Sequence, residues 1–250
     1  VELTHLASLY HDDVMDEALV RRDVPSVNAA YDNSTAILVG DLLFGKASQI
    51  VAGLGSAAVL IQAETFVRLC AGQIRDARPR PADGDPVAYY LEVLADKTGA
   101  LIATAARYGA MFAGGCAQTV EVVREYGELL GIAFQLADDI IDIASDRVDS
   151  GKTPGTDLRE GVDTLAVIYA KGSSDPAHAR LRKLLGGDLR DDARHAEALG
   201  LLRVHPALGR AREQTREVGA QALAALAPLP DSDAKAALVA LVDSVVDRVG

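Results

Sequence analysis

Leu130-Gly131-Ile132-Ala133-Phe134-Gln135-Leu136-Ala137-Asp138-Asp139-Ile140-Ile141-Asp142 is the stretch on which the reading of the fold turns. Gln135, Asp138, Asp139 and Asp142 recur at i, i+3, i+4 and i+7, the period of one helix face. Leu130, Ala133, Phe134, Ala137, Ile141 and Ala144 form an apolar stripe beside them. The segment is therefore a helix with one buried side and one tightly anionic side. Three carboxylates within two turns repel each other, and apolar neighbours strengthen that repulsion by excluding water. Hard cations would relieve it.

Working outward, helical punctuation is frequent and alternating strand patterns are nearly absent. Helices are predicted over 1–19, from Ser34 towards Gly53, from Ser56 to Arg78, and from Asp85 past Lys97 to Phe112. Asp85 is the expected N-cap and Pro86 the first helical residue. The acidic helix is predicted over Thr119–Asp146, followed by a loop rich in glycine, proline and charge, Asp149–Gly161. Shorter helices follow, the last an amphipathic one over Ser232–Val249. With 49% apolar residues, no tryptophan and few aromatics, the chain is expected to be all-α, packed through small and aliphatic side chains. No linker divides it, so 1–250 reads as one domain.

The net charge of −11 argues against a broad attraction to nucleic acid. Cys70 and Cys116 lack CxxC spacing and a neighbouring histidine cluster, and read as buried, reduced thiols. Apolar stretches are interrupted by Asp41, Lys46, Gln49 and Gln62 before reaching the ~20 residues of a membrane span. The expectation is a cytoplasmic protein without a membrane span, with peripheral association left open.

Asp12-Asp13-Val14-Met15-Asp16 repeats the acidic arrangement about 125 residues earlier. Carboxylates without histidine or cysteine suit Mg2+, which keeps several waters and bridges to substrate phosphates. Two such helices facing across a cavity would hold a diphosphate between them. Arg21 and Arg22 follow the first cluster and Lys152 the second, cations suited to a polyanionic ligand. Neither cluster has EF-hand spacing, and no P-loop is present.

These residues resemble the trans-isoprenyl diphosphate synthases, in particular long-chain polyprenyl synthases of actinobacterial type. The likeness is carried by Glu2 to Asp13, Gly40-Asp41, Lys97-Thr98-Gly99-Ala100-Leu101, Phe134 to Asp139, and Gly151-Lys152-Thr153-Pro154-Gly155-Thr156-Asp157-Leu158-Arg159-Glu160-Gly161. It implies a single-domain isoprenoid-synthase helical bundle around a central cavity, and homodimerisation. It also implies a prenyltransferase that condenses isopentenyl diphosphate head-to-tail onto an allylic diphosphate with three Mg2+ ions. Asp12, Asp16 and Asp138 would be metal ligands, with Asp13, Asp139 and Asp142 holding water or orienting the cage. Arg21, Lys97 and Lys152 would contact the allylic diphosphate and Arg22 the isopentenyl diphosphate. Thr98 and Gln135 would line the place where positive charge develops.

Product length follows from side-chain size. Ser8 lies one turn before Asp12 and Ala7 adjoins it, so both small residues would border a growing hydrocarbon, and a long product of about C30 to C50 is expected. Tyr10 is expected to face a neighbouring helix, the alternative being a plug at the lower end of the hydrocarbon path. The family's Gly-Gly-Lys-x-x-Arg segment has no counterpart ahead of Asp12, so the chain reads as N-terminally truncated. Asp23 stands where the family usually has glycine, and Val162-Asp163-Thr164-Leu165-Ala166 replaces a segment often rich in proline. A class I terpene cyclase would carry an Asn/Ser/Glu metal motif in place of the second cluster. A degenerate, non-catalytic synthase subunit would usually have lost one cluster, and both are kept.

Overall fold

Gly131 carries no side chain at the point where two helices touch: a Cβ there would lie 2.6 Å from the Cα of Gly99. One turn earlier, a Cβ on Gly127 would lie 2.8 Å from the Cα of Ala103. These two contacts set the packing of the longest helix, α7 (Ala117–Ala144), on its predecessor. The computed structural model describes residues 1–22, 24–81, 83–145 and 154–249, and they divide into two compact units, Val1–Arg68 and Leu69–Gly250.

In the first unit, α1 (Glu2–Met15) packs on α3 (Asn33–Ala52). The buried Thr4 hydroxyl accepts a 2.7 Å bond from Gln62 of α4 (Ser56–Asp76). Gly40 lets α3 approach closely, since a Cβ there would clash with the His11 ring. The polar, proline-containing segment between the helices predicted over 1–19 and from Ser34 contains more structure than its sequence suggests. Val20–Arg21 (β1) pairs antiparallel with Val24–Pro25 (β2), and a four-residue helix, α2 (Val27–Ala30), follows with Ser26 as its N-cap. Arg22, at φ 52°, takes the left-handed conformation that a tight hairpin turn requires. Asp23 lies outside the described residues.

In the second unit, Asp85 caps α5 (Pro86–Leu94) by accepting from Val87 N–H, with Pro86 at the first helical position as expected. The helix does not run on regularly. Ala95–Gly99 forms a π turn before α6 (Ala100–Phe112). After α7 (Ala117–Ala144), the segment read as loop holds α8 (Thr156–Glu160), then α9 (Leu165–Lys171), α10 (Ala179–Leu185), α11 (Asp192–Arg203), α12 (Pro206–Ala225) and α13 (Asp233–Asp247). Leu136, Ile140, Leu165, Leu202 and Leu226 centre one apolar core.

Three expectations are corrected. The buried face of α7 is Leu130, Ala133, Leu136, Ala137, Ile140 and Ile143, whereas Phe134 is 39% exposed. A helical wheel gives a stripe's width but not its centre. Cys70 and Cys116 are both exposed, because apolar neighbours in sequence are distributed around a helix and do not share its orientation. Finally, α3 is long and apolar enough by length and composition to cross a membrane, with mean hydropathy 1.3 and 22% of its window buried. Asp41 and Lys46 do not break it.

The close contact at Gly131 predicts that Gly131→Ala costs about 2 kcal/mol through overpacking. Gly109→Ala on the open side of α6, where nothing lies within 4 Å, should gain up to ~1 kcal/mol from helix propensity. Urea denaturation of both variants checks the pair.

Candidate active site

The first acidic cluster occupies the last turn of α1. Asp12 is half-buried, Asp16 is exposed at the C-cap, and Asp13 is buried. A buried carboxylate needs a charged or hydrogen-bonding partner. Arg21 supplies it, donating through Nε at 2.8 Å and also through Nη2 to Asp13 Oδ1. Arg21, expected on a diphosphate, is thereby anchored by the acid cluster itself. The amide of Asn28 donates to the backbone oxygens of Asp13 and Ala18, at 3.2 and 3.0 Å, tying α2 to the end of α1. Arg22 is exposed in the hairpin turn. Ala7 is fully buried, while Ser8 is half-buried with its hydroxyl donating to His5 O. Tyr10 is half-buried on α1.

The second cluster lies near the end of α7. Asp138 is 44% exposed at its side chain. Asp139 faces the core, 5% exposed, with both oxygens engaged. Tyr90 of α5 donates its hydroxyl to Oδ2, and Gln135 donates to Oδ1 at 3.0 Å. Thr98, in the π turn, donates in turn to Gln135 Oε1 at 3.2 Å. Burial pushes the Asp139 carboxyl up to about 6, against the opposing pull of the Tyr90 and Gln135 bonds. Desolvation, followed by the Asp139 charge, likewise raises the Tyr90 phenol. Asp142 accepts from the amides of Thr156 and Asp157 at the start of α8, at 3.2 and 3.3 Å.

Lys97 sits in the same π turn, with its ammonium 2.6 Å from Asp76 of α4, beside an Arg75–Asp96 pair at 2.7 Å. Lys152 lies outside the described residues. Arg248, just past α13, comes within 3.9 Å of Asp138 and stands over the Phe134 ring. Neither Tyr90 nor Arg248 is marked by any local pattern. A cavity of about 510 Å3 between α7 and α12, lined by Val122, Glu125, Leu129 and Gln221, lies well before Asp138 along α7 and belongs to neither cluster.

Among the described residues no three acidic, histidine or cysteine side chains gather into a ready-made metal cage. The donor chemistry still fits Mg2+, which is held through one or two carboxylates plus water and substrate oxygens. Asp16 is exposed and Asp12, Asp138 and Asp142 are half-buried, so these carboxylates reach the surface, while Asp13 and Asp139 are buried and hydrogen-bonded.

The family model for polyprenyl synthetase matches residues 1–202. The chain belongs to the polyprenyl synthetase family. It is 51% identical over its whole length to the nonaprenyl diphosphate synthase of Mycobacterium tuberculosis, spanning 75% of that protein. A crystal structure of geranylgeranyl pyrophosphate synthase from Corynebacterium glutamicum, complexed with calcium and isoprenyl diphosphate, superposes with TM-score 0.88 at 45% identity. It is matched by the whole of this chain, which covers 76% of it. A decaprenyl diphosphate synthase from Rhodobacter capsulatus gives TM-score 0.88 at 34% identity, with 100% and 77% coverage. This polyprenyl synthetase is a prenyltransferase with the all-α isoprenoid synthase fold.

The raised Asp139 carboxyl has a signed consequence for the metal-free protein. Below the ordinary carboxylate value of 3.8, Asp139 is neutral whether the chain is folded or not. Between that value and about 6 the unfolded chain ionises first, so stability falls as pH rises, and above about 6 the penalty is complete. Asp139→Asn keeps an acceptor for Tyr90 and meets Gln135 after a flip of the Gln135 amide. It should therefore raise metal-free stability near pH 7.5 by about 3 kcal/mol. Most of that gain should vanish at pH 4, as read by urea denaturation at the two pH values.

Proposed function

We propose that the chain elongates an allylic diphosphate with isopentenyl diphosphate, head to tail and trans, to a product of about C30 to C50 in an Mg2+-dependent reaction. The observation that carries this reading is the recurrence of one acidic pattern on α1 and α7, each with one carboxylate buried and hydrogen-bonded beside others that are less buried. Asp12, Asp16 and Asp138 are the residues that would hold Mg2+. When bound, the metal supplies positive charge to a departing diphosphate. The name of the mycobacterial relative, a nonaprenyl diphosphate synthase, lies within the proposed product range.

The remaining roles fall to the chain's own side chains. Arg21, fixed by Asp13, offers the rest of its five N–H donors to the allylic diphosphate, and Arg22 presents its guanidinium to isopentenyl diphosphate. Lys97 adds a cation that exchanges Asp76 for diphosphate oxygen, and Lys152 adds another. Thr98 donates to Gln135 Oε1 and Gln135 in turn to Asp139 Oδ1, which turns the Gln135 carbonyl dipole to a fixed direction near developing positive charge.

Leu38 and Leu42 on α3 are 66% and 69% exposed. An apolar face of that kind is suited to a second copy of the chain, and we place the protein in the cytoplasm as a homodimer, which sedimentation velocity would reveal. Labelled isopentenyl diphosphate, an allylic primer and Mg2+ test the activity. Linear polyprenyl diphosphates are expected, and cyclised hydrocarbon would overturn the assignment. Asp138→Ala should reduce turnover by at least ~1,000-fold, in keeping with loss of electrostatic stabilisation in the transition state, while the circular dichroism spectrum is unchanged. Ser8→Phe should shorten the products, and an unchanged distribution would remove Ser8 from the hydrocarbon path.

A further inference from the structure

The acid at the end of the second cluster is held by a structure built behind it. Asp142 receives three backbone amides: Gly155 N–H donates to its main-chain oxygen at 2.9 Å, and Thr156 and Asp157 donate to its carboxylate. All three come from the first turn of α8, so the placement of that turn fixes the carboxylate. Gly155 is the pivot. Its φ of 75° lies in the left-handed region, and a Cβ there would stand 2.8 Å from Nε2 of His195.

His195 lies on α11 and is 5% exposed. Its Nε2 is 2.8 Å from Gly155 O, a carbonyl that only accepts, so Nε2 carries the proton. Nδ1 is then the acceptor, and Arg159 Nη2 lies 3.3 Å from it. Arg159 is itself fixed by Asp192 at 2.8 Å and by Arg190 O at 3.1 Å. One continuous chain of contacts therefore runs from Asp192 through Arg159, His195 and Gly155 to Asp142. Ala198, Leu199 and Leu202 of the same helix are buried as well.

We propose that His195 is a positioning residue for the metal-binding carboxylates of α7, acting through Gly155 to hold Asp142 in place one helical turn beyond Asp138. The proposal rests on the assignment of Asp138 to Mg2+. A carboxylate already fixed loses little freedom when a cation and its waters assemble beside it, whereas a loosened one must be ordered at that moment. Outer partners of this kind typically change metal affinity 10- to 100-fold when removed.

The test is calorimetric titration of Mg2+ into the protein saturated with inorganic diphosphate, alongside steady-state kinetics. His195→Leu removes the donor at similar volume and should weaken Mg2+ binding by about tenfold. The Mg2+ concentration for half-maximal activity should rise in parallel, with KM for isopentenyl diphosphate changing less than about twofold. His195→Gln, whose amide can donate to Gly155 O, should restore affinity to within about threefold of the parent. Equal Mg2+ affinity in His195→Leu and the parent would overturn the proposal, as would His195→Gln behaving like His195→Leu. If His195→Leu does not fold, Arg159→Met, which leaves the ring without its Nδ1 donor, should weaken Mg2+ by about threefold, and no change would again overturn it. A parent protein that takes up no Mg2+ with diphosphate would instead remove the metal assignment itself.

Discussion

Negative charge placed on the buried side of a helix must be answered, and in this chain the answer differs from one carboxylate to the next. Asp13 is met by a guanidinium, Asp139 by a phenol and an amide, and Asp142 by backbone N–H groups. Each solution fixes an acid that cannot be left without partners. Asp16 is exposed, while Asp12, Asp138 and Asp142 are half-buried. The six carboxylates thus differ by burial and by partner and not by residue type.

That difference organises the surrounding helices. Satisfying Asp139 requires α5 to bring Tyr90 against α7, and the π turn to bring Thr98 within reach of Gln135. The close glycine contacts between α6 and α7 make that approach possible. Arg203 of α11 donates to Ile143 O at 2.8 Å and also to Ser145 O, covering carbonyls at the end of α7 that have no helical partner. The acid-bearing end of α7 is thus secured from α5, α8 and α11 together. In the first unit Asn28 and Ser26 do comparable work, holding the hairpin that carries Arg21 and Arg22 against the end of α1.

The helical class, the extent of α7, the Asp85–Pro86 start of α5 and both acidic clusters were legible in the sequence, since each depends on neighbours within two turns. Tyr90, Asn28, His195 and Arg248 were not. Tyr90 meets Asp139 across 49 positions and His195 meets Gly155 across 40, and no periodic pattern records such meetings. The same limit explains the cysteines and Phe134, whose chemical character suggested burial while their angular position on a helix decided against it. The hairpin over 20–25 escaped notice because two-residue strands have no alternation to detect.

The π turn at Ala95–Gly99 also bears on how such a protein can change. A π turn holds one residue more than an α turn. Loss of a single residue there would leave an unbroken α-helix, with no need to rebuild either end. The flanking segments would keep their orientation, because the π turn already absorbs the extra residue, and only the side chains within the turn, those at Lys97 and Thr98 among them, would change places with their neighbours. A one-residue insertion or deletion is therefore a discrete step at this point of the chain. It offers divergence a route to a new arrangement of polar groups that no single substitution provides.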